Sequence, residues 1–386
     1  MNTRILIAAV LSIIVSGLFS GPVGAENPDA DLVFIVAADM RNFAHADKGT
    51  THFSGACEAI KEVGSGAFMI SPGDLDVYPP SAVRDLIDDT IGEDYPWYAV
   101  LGNHDPESPS TMEYLREYSL KVPNVVNRGP KGCEETTYSF DWGDSHFVVL
   151  NQYFDGEKDW GLKGEMVPEL LEWLEADLAA TEKSRIFVFG HEPILAMPDM
   201  DNGRIRHQGD SLDEDEENAF AFHQLLLEYG VDAYFCGHTH NTSYAKINGL
   251  WQLDPGHARG IEDASYADQM FEAIDEAIRK GRENGVGEAD SLRQLYRDDA
   301  YHIDRWMKYL GMEEQPVTQT LAQFYTEYTN DPEARNRYFE KQIYYRGHTR
   351  SSFFRVTVGA DEVTVEIYRD DARGGPYTLR KTFVLD

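Results

Sequence analysis

Five short clusters of Asp, Asn and His follow one another along the chain. They are Asp39, Gly73-Asp74, Gly102-Asn103-His104-Asp105, Gly190-His191-Glu192-Pro193 and Gly237-His238-Thr239-His240. Carboxylate oxygens, imidazole nitrogens and an Asn carbonyl together suit borderline first-row cations. A calcium site would be almost all oxygen, and a structural zinc site would use thiolates. Two ions about 3.5 to 4 Å apart need a bridging ligand, which a carboxylate can supply and an imidazole cannot. Such a centre clamps a phosphoryl group and lowers the pKa of water towards about 7. Any one cluster has a plainer explanation, a Gly-Asp turn or a surface histidine; the argument rests on all of them occurring in order.

Distant clusters need rigid elements to bring them together. From Asp31 to about Leu253, short apolar runs alternate with helix-period stretches, the pattern of an α/β fold. The runs are Leu32 to Ala38, Ala67 to Ser71, Trp97 to Leu101, His146 to Leu150, Ile186 to Gly190 and Val231 to Cys236, and five of the six end directly in a polar cluster. Loops beyond the carboxyl ends of strands are where open α/β sheets gather ligands, so the clusters are expected to converge. The clearest helix runs from Val167 to Ala180, with Leu170, Leu171, Leu174 and Leu178 at three- and four-residue steps.

From about Glu262 to Lys341 the pattern is helical only, and Ser352 to Val358, Val363 to Tyr368 and Tyr377 to Val384 then alternate as strands. The helical block is therefore expected to be an insertion before the last strands of a sheet, its Met and aromatic stripes serving packing. The acidic run Asp213 to Glu217 is expected to be a solvated loop.

The 386 residues include 34 Lys and Arg against 67 Asp and Glu, a formal charge of −33. No excess of cations exists to displace phosphate counterions, which argues against nucleic-acid polymers as partners. Met1 to Ala25 carries Arg4, an apolar run from Ile5 to Phe19 and the small residues Val23-Gly24-Ala25. This predicts a cleaved signal peptide over residues 1–25, a secreted or periplasmic mature protein over 26–386, and no stable membrane anchor after cleavage. Cys57, Cys133 and Cys236 permit one disulfide with one thiol left over.

The ordered clusters resemble the motif blocks of the calcineurin-like metallophosphoesterase superfamily, which includes the purple acid phosphatases. The resemblance covers about residues 31 to 256 and extends to the final strands. It implies a four-layer αββα sandwich with two central mixed sheets and a centre of two metal ions of the Mn, Fe or Zn type. By position, Asp74 would bridge both ions. Asn103, His191 and His238 would complete one, and Asp39 and His240 would bind the other. His104 would contact a phosphoryl oxygen or protonate the leaving group, with Asp105 orienting its ring. The implied function is hydrolysis of a small phosphomonoester or phosphodiester by metal-activated water.

Departures from the pattern matter. The first block usually reads Asp-x-His, but here it reads Asp39-Met40-Arg41. A guanidinium has no lone pair to give a metal, so Arg41 is expected to hold a substrate phosphate as a planar, bidentate donor. The family's metal-binding position three residues after Asp74 is Val77, flanked by Asp76 and Tyr78. Asp76, Tyr78, His45 and His52 are substitutes for the missing ligand, while His207 and His257 are candidates to line the pocket. A second functional reading stays open: a non-catalytic phosphate- or ligand-binding module that has lost its first metal site.

Overall fold

Runs of apolar residues buried on both faces build two mixed sheets in a computed structural model of the chain. It describes residues 31–41, 53–75, 79–161, 163–197, 199–200, 206–207, 209–258, 276–287, 291, 351–370 and 376–386. The expected leader, His45, His52, Asp76, Val77, Tyr78 and most of the expected insertion lie outside these residues.

In chain order the first sheet takes β1 (Leu32–Val36), β2 (Phe68–Pro72) and β3 (Trp97–Val100), which are mutually parallel. The second takes β4 (Val125–Arg128), β5 (Tyr138–Trp142), β6 (Ser145–Val149), β7 (Arg185–Phe189), β8 (Ala233–Phe235), β9 (Thr242–Ile247) and β10 (Leu250–Pro255). Strands β6, β7, β8 and β10 run parallel, with antiparallel neighbours on either side, in the order β4-β5-β6-β7-β8-β10-β9. The chain then returns to the first sheet as β11 (Ser352–Val358), β12 (Val363–Asp370) and β13 (Tyr377–Leu385), giving the order β13-β12-β11-β1-β2-β3. Strand β11 lies antiparallel to β1, with Phe34 opposite Val356.

Side-chain alternation along each strand sorts the core into layers. Phe34 and Val36 of β1, Phe68 of β2 and Tyr98 of β3 face Phe140, Phe147, Phe187, Phe189 and Phe235 of the second sheet. Tyr98 and Phe140 stack 3.7 Å apart, and Phe34 meets Phe147 edge-on at 5.3 Å. The opposite face of the first sheet, including Ile35, Met69 and Ala99, packs on α1 (Phe53–Val63), α2 (Ala82–Thr90) and α3 (Pro109–Ser119). The outer face of the second sheet packs on α4 (Pro168–Ala180) and α5 (Glu216–Glu228). The result is the expected αββα sandwich. Helices on both sides explain why the central strands are continuously apolar rather than alternating with polar residues.

The acidic run departs from its expectation as a solvated loop. Asp213 is buried and accepts the backbone N–H groups of Gly209 and Ser211 at 2.9 and 3.2 Å. Asp215 caps α5 by accepting from Asn218 N, with Glu216 and Glu217 in the positive first turn. Cys57, Cys133 and Cys236 are all buried free thiols, so the permitted bridge is absent. Among the described residues, no helix is long and apolar enough to cross a membrane.

Where the chain passes from β10 towards β11, Ala258 N donates to Ala38 O at 2.8 Å and Ser352 N to His257 O at 3.0 Å. Both ends of the intervening segment are thus tied down beside the carboxyl end of β1.

Candidate metal centre

Each cluster sits just beyond the carboxyl end of a parallel strand. Asp39 follows β1, Asp74 follows β2 and Asn103-His104 follows β3, while His191 follows β7 and His238 and His240 follow β8. The face-to-face packing of the sheets brings the two groups together. Asp39, Asp74, His238 and His240 all have positive φ, at 55°, 58°, 69° and 56°. Left-handed backbone is uncommon for such residues and costs about 1–3 kcal/mol each, so the surrounding structure must hold it. Asp39 N donates to Gly73 O at 3.0 Å, Arg41 N to Asp74 O at 2.9 Å and Gly237 N to His191 O at 2.9 Å. Gly73 is obligatory: its φ is +88°, and a Cβ there would meet His191 Nδ1 and lie 2.8 Å from the Gly102 backbone.

Four donor residues are linked by a chain of close contacts. Asn103 Oδ1 lies 3.1 Å from His191 Nε2 and 3.2 Å from His238 Nδ1, and His191 Nε2 lies 3.6 Å from Asp74 Oδ1. Tetrahedral ligands at about 2.0–2.2 Å from an ion are about 3.3–3.6 Å from one another, and these three contacts are each near that length. The tautomers fit as well. His191 Nδ1 donates to Pro72 O at 2.7 Å, which leaves Nε2 its lone pair. His238 Nε2 faces Glu192 Oε2 at 3.4 Å, both atoms being buried, and its Nδ1 is turned to Asn103. Burial lowers the pKa of His191 and, together with the neighbouring imidazoles, lowers that of His238 well below the ordinary value. Neutral imidazole is the ligating form.

Glu192 received no role from the sequence, although it directly follows a ligand. Burial pushes its carboxyl up to about 8. Its Oε1 accepts from Tyr153 Oη, and Gln152 Oε1 takes the backbone N–H groups of His191 and Glu192 at 2.8 and 2.7 Å. Nothing local in the sequence marks Gln152 and Tyr153, which arrive from the end of β6.

A second group is Asp39, Asp74 and His240, whose donor atoms lie within 4.8 Å of one another. His240 Nε2 is 3.4 Å from Asp39 Oδ1, while His240 Nδ1 is in hydrogen-bond contact with the Arg206 guanidinium. Arg206 was not anticipated. His207 stacks its ring 4.0 Å from that of His238 and bonds Asp210 at 3.2 Å, and buried His257 lies 5.8 Å from His240.

The expected role of Asp105 needs correction. Its Oδ1 accepts Leu75 N and its Oδ2 accepts Gly102 N, each at 2.7 Å, so it braces the loops after β2 and β3 against each other. The His104 ring is held instead by Glu107, with Nδ1 to Oε1 at 2.8 Å, and the His104 backbone N–H donates to Asp74 Oδ1 at 3.1 Å. Glu107 was missed because an exposed Glu three residues after a His is common on helix surfaces. Arg41 places Nη2 3.7 Å from the other Glu107 oxygen, at the same edge of the site as His104. His223 bonds Ile247 O at 2.8 Å, away from the site.

Two sheets delivering carboxylates, an amide and imidazoles to one region define an αββα sandwich with a candidate metal site at the carboxyl ends of its parallel strands. More specifically, residues 32–242 match the family described as calcineurin-like phosphoesterase, and the chain belongs to that family. Its members use divalent metals. The mouse (Mus musculus) tartrate-resistant acid phosphatase type 5 is 36% identical over 173 residues, 42% of this chain and 48% of that protein. Purple acid phosphatase 15 of Arabidopsis thaliana is 29% identical over 166 residues, 42% of this chain and 27% of that protein. A probable cyclic nucleotide phosphodiesterase of Moraxella catarrhalis (strain BBH18) is 24% identical over 179 residues, 46% of this chain and 56% of that protein. The chain thus spans about half or less of the length of these relatives. Among solved structures, Plasmodium GAP50, described as the anchor in the inner membrane complex, is 12% identical with a TM-score of 0.48, covering 92% of this chain and 89% of that one. PhoD is 10% identical with a TM-score of 0.47, covering 92% of this chain and 69% of that one.

Proposed function

We propose that the protein is an exported phosphoesterase that uses a divalent cation to hydrolyse a small phosphomonoester or phosphodiester. The observation that carries this reading is the chain of close contacts Asp74–His191–Asn103–His238 beside the Asp39, Asp74 and His240 group, with His104 and Arg41 at the same site. A divalent ion in that set supplies a Lewis acid for a phosphoryl oxygen and acidifies water. Arg41 offers a planar pair of N–H donors to a phosphate. With Nδ1 anchored on Glu107, His104 keeps Nε2 to hold a proton for the departing oxygen. Asp105, by joining Leu75 N to Gly102 N, fixes the distance between the Asp74 and His104 loops. Bound cations and Arg41 would reverse the sign of the field locally in a chain whose net charge is −33, so a small anion would be admitted while extended polyanions would not. Export is supported by the Met1 to Ala25 pattern.

The test is hydrolysis of generic mono- and diesters by chelator-stripped protein reconstituted with manganese, iron, zinc or calcium. Turnover restored by a first-row ion and lost in His104→Ala supports the reading. No restoration by any ion above the His104→Ala background rejects it. The mass of the protein recovered outside the cytoplasm reports whether residues 1–25 have been removed.

A further inference from the structure

We propose that this site takes one divalent ion, held by Asp74, Asn103, His191 and His238, and that Arg206, bonded to the far nitrogen of His240, keeps that histidine from ligating a partner ion. The inference rests on the phosphoesterase reading and concerns only how many ions that site holds.

The two histidines of Gly237-His238-Thr239-His240 are set in opposite senses by what touches their other nitrogen. A guanidinium has five N–H donors, no acceptor and stays protonated, so at the contact with His240 it donates and Nδ1 accepts. A neutral imidazole that accepts at Nδ1 carries its hydrogen on Nε2. That nitrogen points towards Asp39 Oδ1, 3.4 Å away. His240 therefore offers the acidic pair a hydrogen rather than a lone pair, and of the group Asp39, Asp74 and His240 only the two carboxylates remain as donors. At His238 the arrangement is reversed: Glu192 faces Nε2, and Nδ1 is turned to Asn103.

Charge and sequence point the same way. Asp39 and Asp74 are both essentially buried and need compensating cations. Arg206 approaches that group through His240, and the first block carries Arg41, which cannot ligate a metal, where the resemblance expects a third ligand.

The experiment is metal stoichiometry on the full-length protein by elemental analysis and calorimetric titration with Mn²⁺ and Zn²⁺, combined with electron paramagnetic resonance of the manganese form. Wild type is expected to bind one equivalent with the spectrum of an isolated Mn²⁺ ion. His238→Ala should lose that ion, His240→Ala should keep it, and Arg206→Ala should gain a weaker second equivalent because His240 Nε2 is released. Two equivalents in wild type with turnover, an exchange-coupled manganese pair, or loss of metal in a folded His240→Ala protein would each overturn the proposal while leaving the phosphoesterase reading standing. No bound metal and no turnover in wild type would remove both. The wild-type measurement needs no variant to fold, so the proposal stays exposed to refutation.

Discussion

Glu192 Oε2 stands 3.4 Å from His238 Nε2, both atoms buried, so a carboxyl group faces the nitrogen of this histidine that does not point at Asn103. Such partners fix ring orientation and tautomer, and losing one typically costs about 10–100-fold in metal affinity. Glu192→Leu should weaken binding by about that factor. Glu192→Gln, which keeps an acceptor oxygen, should recover part of the loss. Competition with a calibrated chelator measures both, and equal affinities for wild type and the Leu variant would deny Glu192 this role.

His104 is argued to move a proton, not to bind the metal. His104→Ala should therefore lower turnover by about 10²–10⁴-fold while leaving metal content unchanged. Glu107→Gln should give a smaller loss, since it loosens the His104 ring at Nδ1 without removing the acid. Elemental analysis beside steady-state kinetics separates the two effects, and a fall in metal content in His104→Ala would contradict the assignment.

Away from the site, His146 lies between Asp141 and Asp177 at 2.8 and 3.0 Å, with Lys183 3.5 Å from the far side of Asp141. Burial alone would lower its pKa, but the hydrogen bonds to Asp177 and Asp141 outweigh burial and raise it above 6.5. A histidine whose pKa is higher folded than unfolded contributes stability that is complete below the unfolded value and fades as pH rises through the folded one. Thermal stability should therefore fall as pH climbs from 6.5 through that value, and His146→Gln should flatten this part of the profile. Melting curves across the range check it; parallel profiles for the two proteins would count against the ion pairs.

Two glycines with similar backbone should respond differently to alanine. Gly64, at φ +97°, has no heavy atom near where a Cβ would sit, whereas Gly73, at φ +88°, would drive one into His191 and Gly102. Gly64→Ala should cost about 1–2 kcal/mol from backbone strain alone. Gly73→Ala should cost about 3 kcal/mol or more and also impair metal binding, because His191 must move. Denaturant midpoints and metal titrations of both variants test the contrast, which would collapse if the two lost equal stability.

Much of the fold was legible in the chain itself. Period-two and period-3.6 patterns are local consequences of backbone geometry, so the strands ending at Val36, Pro72, Val100 and Phe189 fall inside or beside the apolar runs, and Pro168–Ala180 is helical as its leucine spacing requires. Asp213 was misjudged because acidic composition describes exposure on average, while its hydrogen bonds to Gly209 and Ser211 depend on how one turn closes. Asp105 was assigned to the His104 ring because adjacency in sequence suggests contact. The turn at Asp105–Glu107 instead sends its carboxylate to Leu75 and Gly102 and brings Glu107 round to the ring.

What the sequence determined by itself was the donor inventory and its order: carboxylates, an amide and imidazoles placed after strands, with an arginine where a ligand was expected. Those are properties of residue type and local periodicity. What only the tertiary structure decided was which nitrogen of each histidine is available, because an imidazole has two and the partner of one sets the state of the other. Glu192 reaches His238 across 46 residues and Arg206 reaches His240 across 34. No local pattern encodes either meeting, yet those meetings distinguish a histidine poised to ligate from one poised to donate.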